Sequence, residues 1–283
     1  MPKGITSLTG FVRKISSITE AKPNSTLLFR GHSKKSYKFL PSVLRSENWR
    51  KSEHLMLRQL LADAPQDFAE DRTAFDVLVR AQHYGLPTRL LDVSTNPLVG
   101  LYFACCSHAK ERGQVLIVEP PIHRQKYFDS DTVSLLANLA YLRRGQKEDM
   151  LTFARDNVHS DTKPERIAEF SDCPQLDPLL QQVRQEKPYF LARVDPFDMA
   201  YVVSVVPRKS HARIAAQSGG FLVFGITEHD VGAHLSELKI DKVDIAADAK
   251  ADILDQLNKV GISRRTLFPE IENAANQISQ RYS

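Results

Sequence analysis

The residues best suited to chemistry lie between two predicted helices, in residues 82–97. A glycine and a proline fix a turn there, and the residues that follow supply two hydrogen-bond donors for an anion, a carboxylate and two hydroxyls. These residues are Thr88, Arg89, Asp92, Ser94 and Thr95. The last three precede a predicted helix start, where the helix dipole and free backbone N–H groups favour negative charge. Because loops held by rigid elements commonly carry sites, the segment predicts a site for a phosphate-bearing ligand.

A second polar cluster, Phe29-Arg30-Gly31-His32, ends a predicted strand much earlier in the chain. An arginine at a strand end adds little to a core, but its fork can hold a phosphate through two parallel hydrogen bonds. We therefore predict that Arg30 and residues 89–95 line one cleft. A purely structural alternative stays open. In it Asp92 and Asn96 cap the next helix, Arg89 pairs with Asp92, and His83 is a satisfied histidine at a helix end.

The flanking sequence predicts the elements that would position these residues. Apolar residues recur at helical spacing over residues 6–18, 47–64 and 72–84. Short apolar runs bounded by turn residues predict strands over residues 26–31, 90–94 and 114–118. Asn96 as a cap and Pro97 in the first turn predict a helix from residue 97 to about residue 112.

The second half of the chain predicts a helical segment followed by more strands. Apolar spacing is helical over residues 131–187, with breaks at Gly145, Pro164 and Pro174. Strands are predicted over residues 201–206, 221–226 and 238–245, and helices over residues 249–260 and 266–281. This order favours an α+β fold over a parallel doubly wound one. We predict a single domain over residues 1–283, with residues 131–187 as a helical insertion outside the sheet.

Composition narrows the classes of protein that fit. The chain has 283 residues, 42% hydrophobic and 25% charged, which excludes wholesale disorder. Its apolar runs are far shorter than the roughly 20 residues of a membrane helix, and its start lacks the pattern of a secretion signal. A cytoplasmic protein with no membrane partner is expected. The spacing of Cys105, Cys106 and Cys173 predicts neither a disulfide framework nor a metal site.

Several motifs together resemble the FRG domain family. They are Phe29-Arg30-Gly31, Tyr37, Leu40-Pro41-Ser42, Arg45, Gln82-His83-Tyr84-Gly85, Pro87-Thr88-Arg89-Leu90-Leu91-Asp92, and Pro97 with Leu101-Tyr102-Phe103-Ala104. Further matches are Arg213-Ile214, Ala216-Gln217-Ser218-Gly219, Phe221 and Leu267-Phe268-Pro269. The resemblance covers roughly residues 20 to 275, and the run from Gln82 to Asp92 is its most specific stretch.

A more distant resemblance, to mono-ADP-ribosyltransferases of the Arg–Ser–Glu type, implies an activity. In that family an aromatic-Arg-Gly motif ends the first strand, a Ser-Thr-Ser strand follows, and a helix then carries a proline and a Phe-Ala pair. Phe29-Arg30-Gly31, Ser94-Thr95-Asn96-Pro97 and Phe103-Ala104 occur here in that order. The resemblance implies an ADP-ribosyltransferase-like split, mixed sheet and NAD as co-substrate, with no metal.

The same resemblance implies a role for each residue. Catalytic roles fall to Arg30, Ser94, Gln217 and Glu228. NAD-binding roles fall to Arg30, Gly31, His83, Tyr84, Thr88, Arg89, Asp92 and Thr95. The family pattern expects a glutamate on a late strand, where this chain has Gln217, so Glu228 or Asp92 is the alternative carboxylate. Tyr84 or Tyr102 is the candidate to stack on nicotinamide.

The implied function is transfer of ADP-ribose to a macromolecule, which includes RNA or another nucleic acid. The net charge of +4 permits such a partner without requiring one. Compact transferases of this kind in bacteria often act as toxins or antiviral effectors, which implies an antitoxin or other regulatory partner. The competing hypothesis is a non-catalytic nucleotide- or nucleic-acid-binding module, in which the same arginines hold phosphate and no bond breaks.

Overall fold

The computed structural model describes residues 4–171, 173–208, 212–226, 235 and 237–269. Seven strands form one sheet: β1 (Leu28–His32), β2 (Leu90–Ser94), β3 (Gly113–Glu119), β4 (Gln125–Tyr127), β5 (Val202–Val206), β6 (Gly219–Phe224) and β7 (Lys239–Ile245). Their order is β4-β5-β6-β2-β1-β3-β7. Only β4 and β5 pair in parallel, and the other neighbours are antiparallel. The sheet is mixed and the fold is α+β, as predicted.

The helices fall into two groups along the chain. The first and last parts contribute α1 (Leu8–Glu20), α2 (Glu47–Asp63), α3 (Ala74–His83), α4 (Pro97–Cys105), α10 (Ala212–Ala216), α11 (Lys250–Lys259) and α12 (Arg264–Leu267). The middle contributes α5 (Asp131–Asn138), α6 (Arg144–Asn157), α7 (Lys163–Ser171), α8 (Asp177–Glu186) and α9 (Pro196–Ala200). Within residues 131–187, the described chain is helical and supplies no strand to the sheet, in keeping with its apolar spacing.

Two separate helix layers cover one face of the sheet. Helices α1, α4 and α11 pack on β1, β3 and β7, through residues such as Phe11, Phe29 and Ile253. Helices α3, α5 and α8 pack on β5 and β6, through residues such as Phe75 and Phe221. The boundary between the two layers lies over β1 and β2. The opposite face is covered by a third cluster that includes loop residues of the segment 39–44.

Several boundaries differ from the sequence-based prediction. Helix α4 ends at Cys105 rather than near residue 112. The chain reverses at His108, whose φ is positive at 51°, and the buried Lys250 amine donates to the carbonyls of Ser107 and His108. These bonds hold the loop as a turn, so the helix cannot continue. Strand β4 and helices α9 and α10 are too short to show a period and were not predicted.

The predicted helix 266–281 lies mostly outside the described residues. Of its described part, Thr266 and Leu267 end helix α12, and residues 268 and 269 are not helical. In the described ranges no helix has the length and apolar character needed to cross a bilayer. The same residues hold no group of three or more His, Cys, Asp or Glu side chains placed to bind a metal ion.

Candidate functional site

The central strands β1 and β2 separate instead of pairing along their length. They share one register position, Phe29 opposite Ser94, whereas β1 pairs with β3 and β2 pairs with β6 along the whole strand. Past Phe29 the two strands diverge, and the Arg30 guanidinium enters the gap, where Nη1 donates to the Asp92 carbonyl at 2.5 Å. A side chain thus takes the place of a ladder hydrogen bond. The sheet is split at its centre, with an arginine in the split.

Glycine at position 31 allows helix α4 to approach the edge of this split. A Cβ atom on Gly31 would lie 2.1 Å from the Gly100 carbonyl oxygen and 2.5 Å from the Ala104 nitrogen. Both distances are far below van der Waals contact, and both neighbours are helix backbone that cannot move aside alone. The glycine of the Phe-Arg-Gly motif is therefore required for packing, whatever the ligand.

A cleft of about 170 Å³ opens at the split. Its apolar wall comes from β1 and α4, and its polar wall comes from β2 and the segment around α10. The lining residues are Phe29, Arg30, Gly31, Asp92, Val93, Ser94, Val99, Gly100, Phe103, Arg213 and Gln217. Arg30, Asp92, Ser94 and Gln217 are distant in sequence, so the sheet topology brings the predicted polar residues to one place.

A smaller pocket of about 70 Å³ adjoins the cleft and shares Asp92, Val93, Arg213 and Gln217 with it. Its additional polar lining comes from Gln82 and His83 at the end of α3. The exposed Asp92 carboxylate stands between the two spaces. Gln82 Nε2 donates to Asp92 Oδ1 at 2.8 Å, and the Thr88 hydroxyl in turn donates to Gln82 Oε1. This chain of hydrogen bonds fixes the carboxylate, so its position does not depend on a ligand.

The hydroxyls of Ser94 and Thr95 hold the loop after α10 against the end of β2. Ser94 Oγ donates to the Gln217 carbonyl at 2.7 Å and accepts from the Asn96 N–H at 3.0 Å. Thr95 Oγ1 donates to the Ser218 carbonyl at 3.3 Å. Both hydroxyl protons are engaged within the protein. In this arrangement the two hydroxyls could only accept a hydrogen bond from a ligand, which limits the catalytic role predicted for Ser94 and the NAD-binding role predicted for Thr95.

The segment around α10 adds a second arginine to the cleft. Arg213 lines both pockets, and its guanidinium lies over the Phe268 ring, 4.8 Å from the centroid. Gln217 Nε2 donates to the Leu267 carbonyl at 3.0 Å. The end of α12 and the residue after it therefore support this wall of the cleft. Arg213 was noted in the sequence only as part of a motif, because no local spacing shows that a short helix returns to β2.

Burial perturbs Arg30, the central cation. Desolvation lowers the pKa of Arg30, Asp92 opposes this effect and Arg45 adds to it, and the net pKa is about 10. The side chain remains cationic at neutral pH. A charge that has lost part of its hydration shell binds an anion more strongly than an exposed one. The cleft therefore combines a desolvated cation, a second arginine and a fixed carboxylate.

Residues 25–113 are similar to the FRG domain. The family model matches β1, β2 and α4, which form the split and the apolar wall of the cleft. Arg213 and Gln217 lie beyond the matched residues. Comparisons with curated proteins and with solved structures gave no match. The matched residues thus support the resemblance to the FRG family, and they contain Arg30, Asp92 and Ser94.

Arg89 lies within the FRG match but does not line the cleft. Its side chain is 3% exposed, and its Nε and Nη2 donate to the Glu53 carboxylate at 2.9 and 2.5 Å. Its Nη1 donates to the Phe224 carbonyl at 3.0 Å. The predicted role of Arg89 as an anion clamp beside Arg30 does not fit this position. Local spacing could not reveal this partner, because Glu53 comes from a helix distant in sequence.

The remaining predicted residues occupy varied positions. Thr88 is buried behind the Asp92 network and does not reach the cleft. Tyr84 is 59% exposed and packs edge-on against His83, and Tyr102 is buried in a core. Neither lines the cleft, where Phe29 and Phe103 supply the aromatic rings instead. Glu228 lies outside the residues that the structure describes.

Proposed function

We propose that this protein is an NAD-dependent ADP-ribosyltransferase that uses the cleft between β1 and β2. The observation that carries the proposal is the split at the centre of the sheet, with the Arg30 guanidinium bound to the Asp92 carbonyl across it. The resemblance to mono-ADP-ribosyltransferases predicts such a split sheet, with an arginine at the end of its first strand.

The two walls of the cleft suit the two chemical parts of NAD. Arg30 and Arg213 are donors for the diphosphate or the nicotinamide ribose, since a guanidinium fork matches oxygen pairs that lysine cannot. Phe103 and Val99 offer a flat apolar surface to the nicotinamide ring. The cleft of about 170 Å³ is smaller than the roughly 300–1,000 Å³ of typical ligand pockets. We infer that it receives the reacting half of NAD, while the adenosine half extends over the adjoining surface.

The chemistry requires a carboxylate near the reacting sugar. The bond between ribose C1 and the nicotinamide nitrogen breaks, its electron pair leaves with neutral nicotinamide, and a positive charge develops on the ribose ring. As in glycoside hydrolysis, a nearby carboxylate stabilises that oxocarbenium-like charge. An acceptor oxygen or nitrogen then bonds to C1 and loses its proton. Asp92 is the carboxylate that lines the described cleft, so we assign it this role, with Glu228 as the alternative.

The acceptor is proposed to be a macromolecule, with a nucleic acid as one candidate class. The cleft opens to solvent and the net charge of the chain is +4, which favours approach of a polyanion. A cytoplasmic toxin or antiviral effector, restrained by an antitoxin or another regulatory partner, is the biological role that we propose from family resemblance.

Replacing Asp92 with asparagine is expected to lower the rate of nicotinamide release by about a hundredfold or more, because the charge that stabilises the ribose cation is lost. Affinity for NAD should change only a few-fold, since asparagine keeps the shape of the side chain. The matched control is Asp255→Asn, which removes an exposed carboxylate on α11 that pairs with Lys259. Nicotinamide release is measured with RNA, DNA and protein acceptors present. Unchanged release in Asp92→Asn would exclude Asp92 as the catalytic carboxylate.

A non-catalytic nucleotide-binding module is the second candidate function. The observation that favours it is that the Asp92 carboxylate is already held by Gln82, and that the cleft is lined by Gln217, an amide, in the region where the transferase pattern is expected to have a glutamate. The same release assay separates the two. Binding of NAD without nicotinamide release from any acceptor mixture would support the binding module and contradict the transferase.

A further inference from the structure

The residue after the Phe-Arg-Gly motif contacts Arg30 directly. His32 lies two positions along β1 from Arg30, so both side chains leave the strand on the same face. Arg30 Nε donates to His32 Nε2 at 3.3 Å. The imidazole is 3% exposed and packs edge-on against the Tyr37 ring at 6.0 Å. The histidine is therefore a fixed acceptor for the guanidinium.

Arg30 is held at two points by these contacts. Its Nε bonds to His32, and its Nη1 bonds to the Asp92 carbonyl in the split. A guanidinium has five N–H donors in one plane, and Nη2 takes no partner among the described residues. The two bonds fix the plane of the guanidinium, so Nη2 and the second Nη1 hydrogen remain available to a ligand in the cleft.

The geometry points to His32 as the positioning residue for Arg30. His32 orients the Arg30 guanidinium before the ligand arrives, so the side chain does not have to be ordered when it binds the anionic part of the ligand. This inference rests on the proposed function, because it assumes that Arg30 meets a diphosphate or ribose in the cleft. A long side chain that is already immobile loses less conformational entropy on binding, and so binds more tightly than a mobile one.

The protonation state of His32 agrees with this role. Burial, together with the charges of Arg30, Arg45 and Lys242, lowers the pKa of His32 to about 4. At neutral pH the ring is neutral, and because Nε2 accepts from Arg30, the proton must lie on Nδ1, a buried atom for which the described residues supply no hydrogen-bond partner. The groups that face the ring are Arg30 on β1, Arg45 at the end of residues 42–45, Lys242 on β7 and the ring of Tyr37.

Two substitutions of similar volume test the inference. His32→Leu removes the acceptor, and we expect its affinity for ADP-ribose to fall by roughly tenfold. His32→Gln retains an acceptor oxygen, and its affinity should stay within about threefold of the wild type. Both variants must show the wild-type thermal transition to count as folded. Equal affinity of His32→Leu and wild type would overturn the positioning role, as would an equal loss in both variants.

The pH dependence of the affinity for ADP-ribose is a second test, because a residue with a merely structural role would not change it. As pH falls toward the His32 pKa of about 4, protonation removes the acceptor and places a like charge beside Arg30, so wild-type affinity for ADP-ribose should fall. In His32→Gln that decrease should be absent. Identical profiles for the two proteins over this range would contradict the inference.

Failure of this inference can be distinguished from failure of the proposed function. Nitrogen NMR of ¹⁵N-histidine-labelled wild-type protein, with His32 assigned by its absence in His32→Gln, needs no ligand. We expect an unprotonated Nε2 that does not titrate at neutral pH, and a proton on Nε2 would overturn the contact. If His32→Leu binds ADP-ribose like the wild type while Arg30→Ala does not bind it, the positioning role of His32 is wrong but ligand binding in the cleft is supported. If Arg30→Ala also binds ADP-ribose like the wild type, both the positioning role and the proposed binding site are wrong.

Discussion

Replacement of Arg30 with alanine is expected to remove NAD binding at the cleft. The variant loses the guanidinium that spans the split between β1 and β2. Charge-assisted hydrogen bonds from a partly desolvated group contribute roughly 1.5–3 kcal/mol each, which is about tenfold or more in affinity per bond. Two such bonds to a diphosphate or ribose predict a loss of roughly a hundredfold or more. Isothermal titration with NAD measures it.

Folding should be nearly intact in Arg30→Ala. The Asp92 carbonyl lies at the open cleft, where water can replace the lost donor. The remaining cost is the one hydrogen bond that the buried His32 Nε2 accepts, about 1–3 kcal/mol. Arg30→Lys tests geometry against charge, and we expect poor rescue because an ammonium cannot reproduce the fork. The matched control is Arg45→Ala, which removes a second positive charge near Arg30. The Arg45 guanidinium donates to the Leu40 carbonyl. Full binding by Arg30→Lys would show that Arg30 supplies charge alone.

The second large effect is expected at Glu53, and it concerns stability. Glu53 is a buried carboxylate on α2 that accepts from Arg89 at the start of β2 and from Lys147 on α6 at 2.6 Å. Glu53→Gln leaves the two buried cations without a counter-charge, which typically costs about 3–5 kcal/mol. Chemical denaturation should show a corresponding decrease in the free energy of unfolding.

The same carboxylate predicts a loss of stability in acid. Burial raises the pKa of Glu53, but the charges and hydrogen bonds of Arg89 and Lys147 outweigh it and lower the value to about 2. The unfolded chain therefore takes up the proton more readily than the folded protein. The contribution is complete above the ordinary value of 4.5 and is lost as pH falls toward about 2. The wild type should lose stability across this range more steeply than Glu53→Gln.

Lys147→Met is the matched control for Glu53→Gln. Burial lowers the pKa of Lys147 to about 8 despite the attraction of Glu53. The free energy of desolvating the Lys147 charge therefore offsets part of the stability that its ion pair with Glu53 contributes. We expect this variant to lose much less stability than Glu53→Gln, because Arg89 still neutralises Glu53. If Glu53→Gln unfolds at the same denaturant concentration as the wild type, the cluster of Glu53, Arg89 and Lys147 does not stabilise the fold.

Sequence reasoning found the elements of the fold where their periodicity was strong. Strand β2 was predicted at its observed bounds, and the helical character of residues 131–187 followed from apolar spacing. The prediction that Arg30 and the segment 89–95 line one cleft holds for Arg30, Asp92 and Ser94. These residues lie at strand ends or just before a helix, positions that local patterns can identify.

Long-range pairing could not be predicted in the same way. Local spacing suggested Asp92 as the partner of Arg89, but the structure pairs Arg89 with Glu53 and brings Arg30 to the Asp92 backbone. Arg213 was missed because its role depends on the return of the α10 segment to β2. His32 was read only as the end of a motif, although the period of a strand places residues 30 and 32 on one face.

The central claim is that NAD binds in the split between β1 and β2. The most direct measurement is a crystal structure of the wild-type protein soaked with NAD. The account predicts density for the diphosphate or nicotinamide ribose within hydrogen-bonding distance of Arg30 Nη2, with the nicotinamide ring against Phe103 and Asp92 near ribose C1. Density for NAD at a different surface, with the split empty, would contradict it.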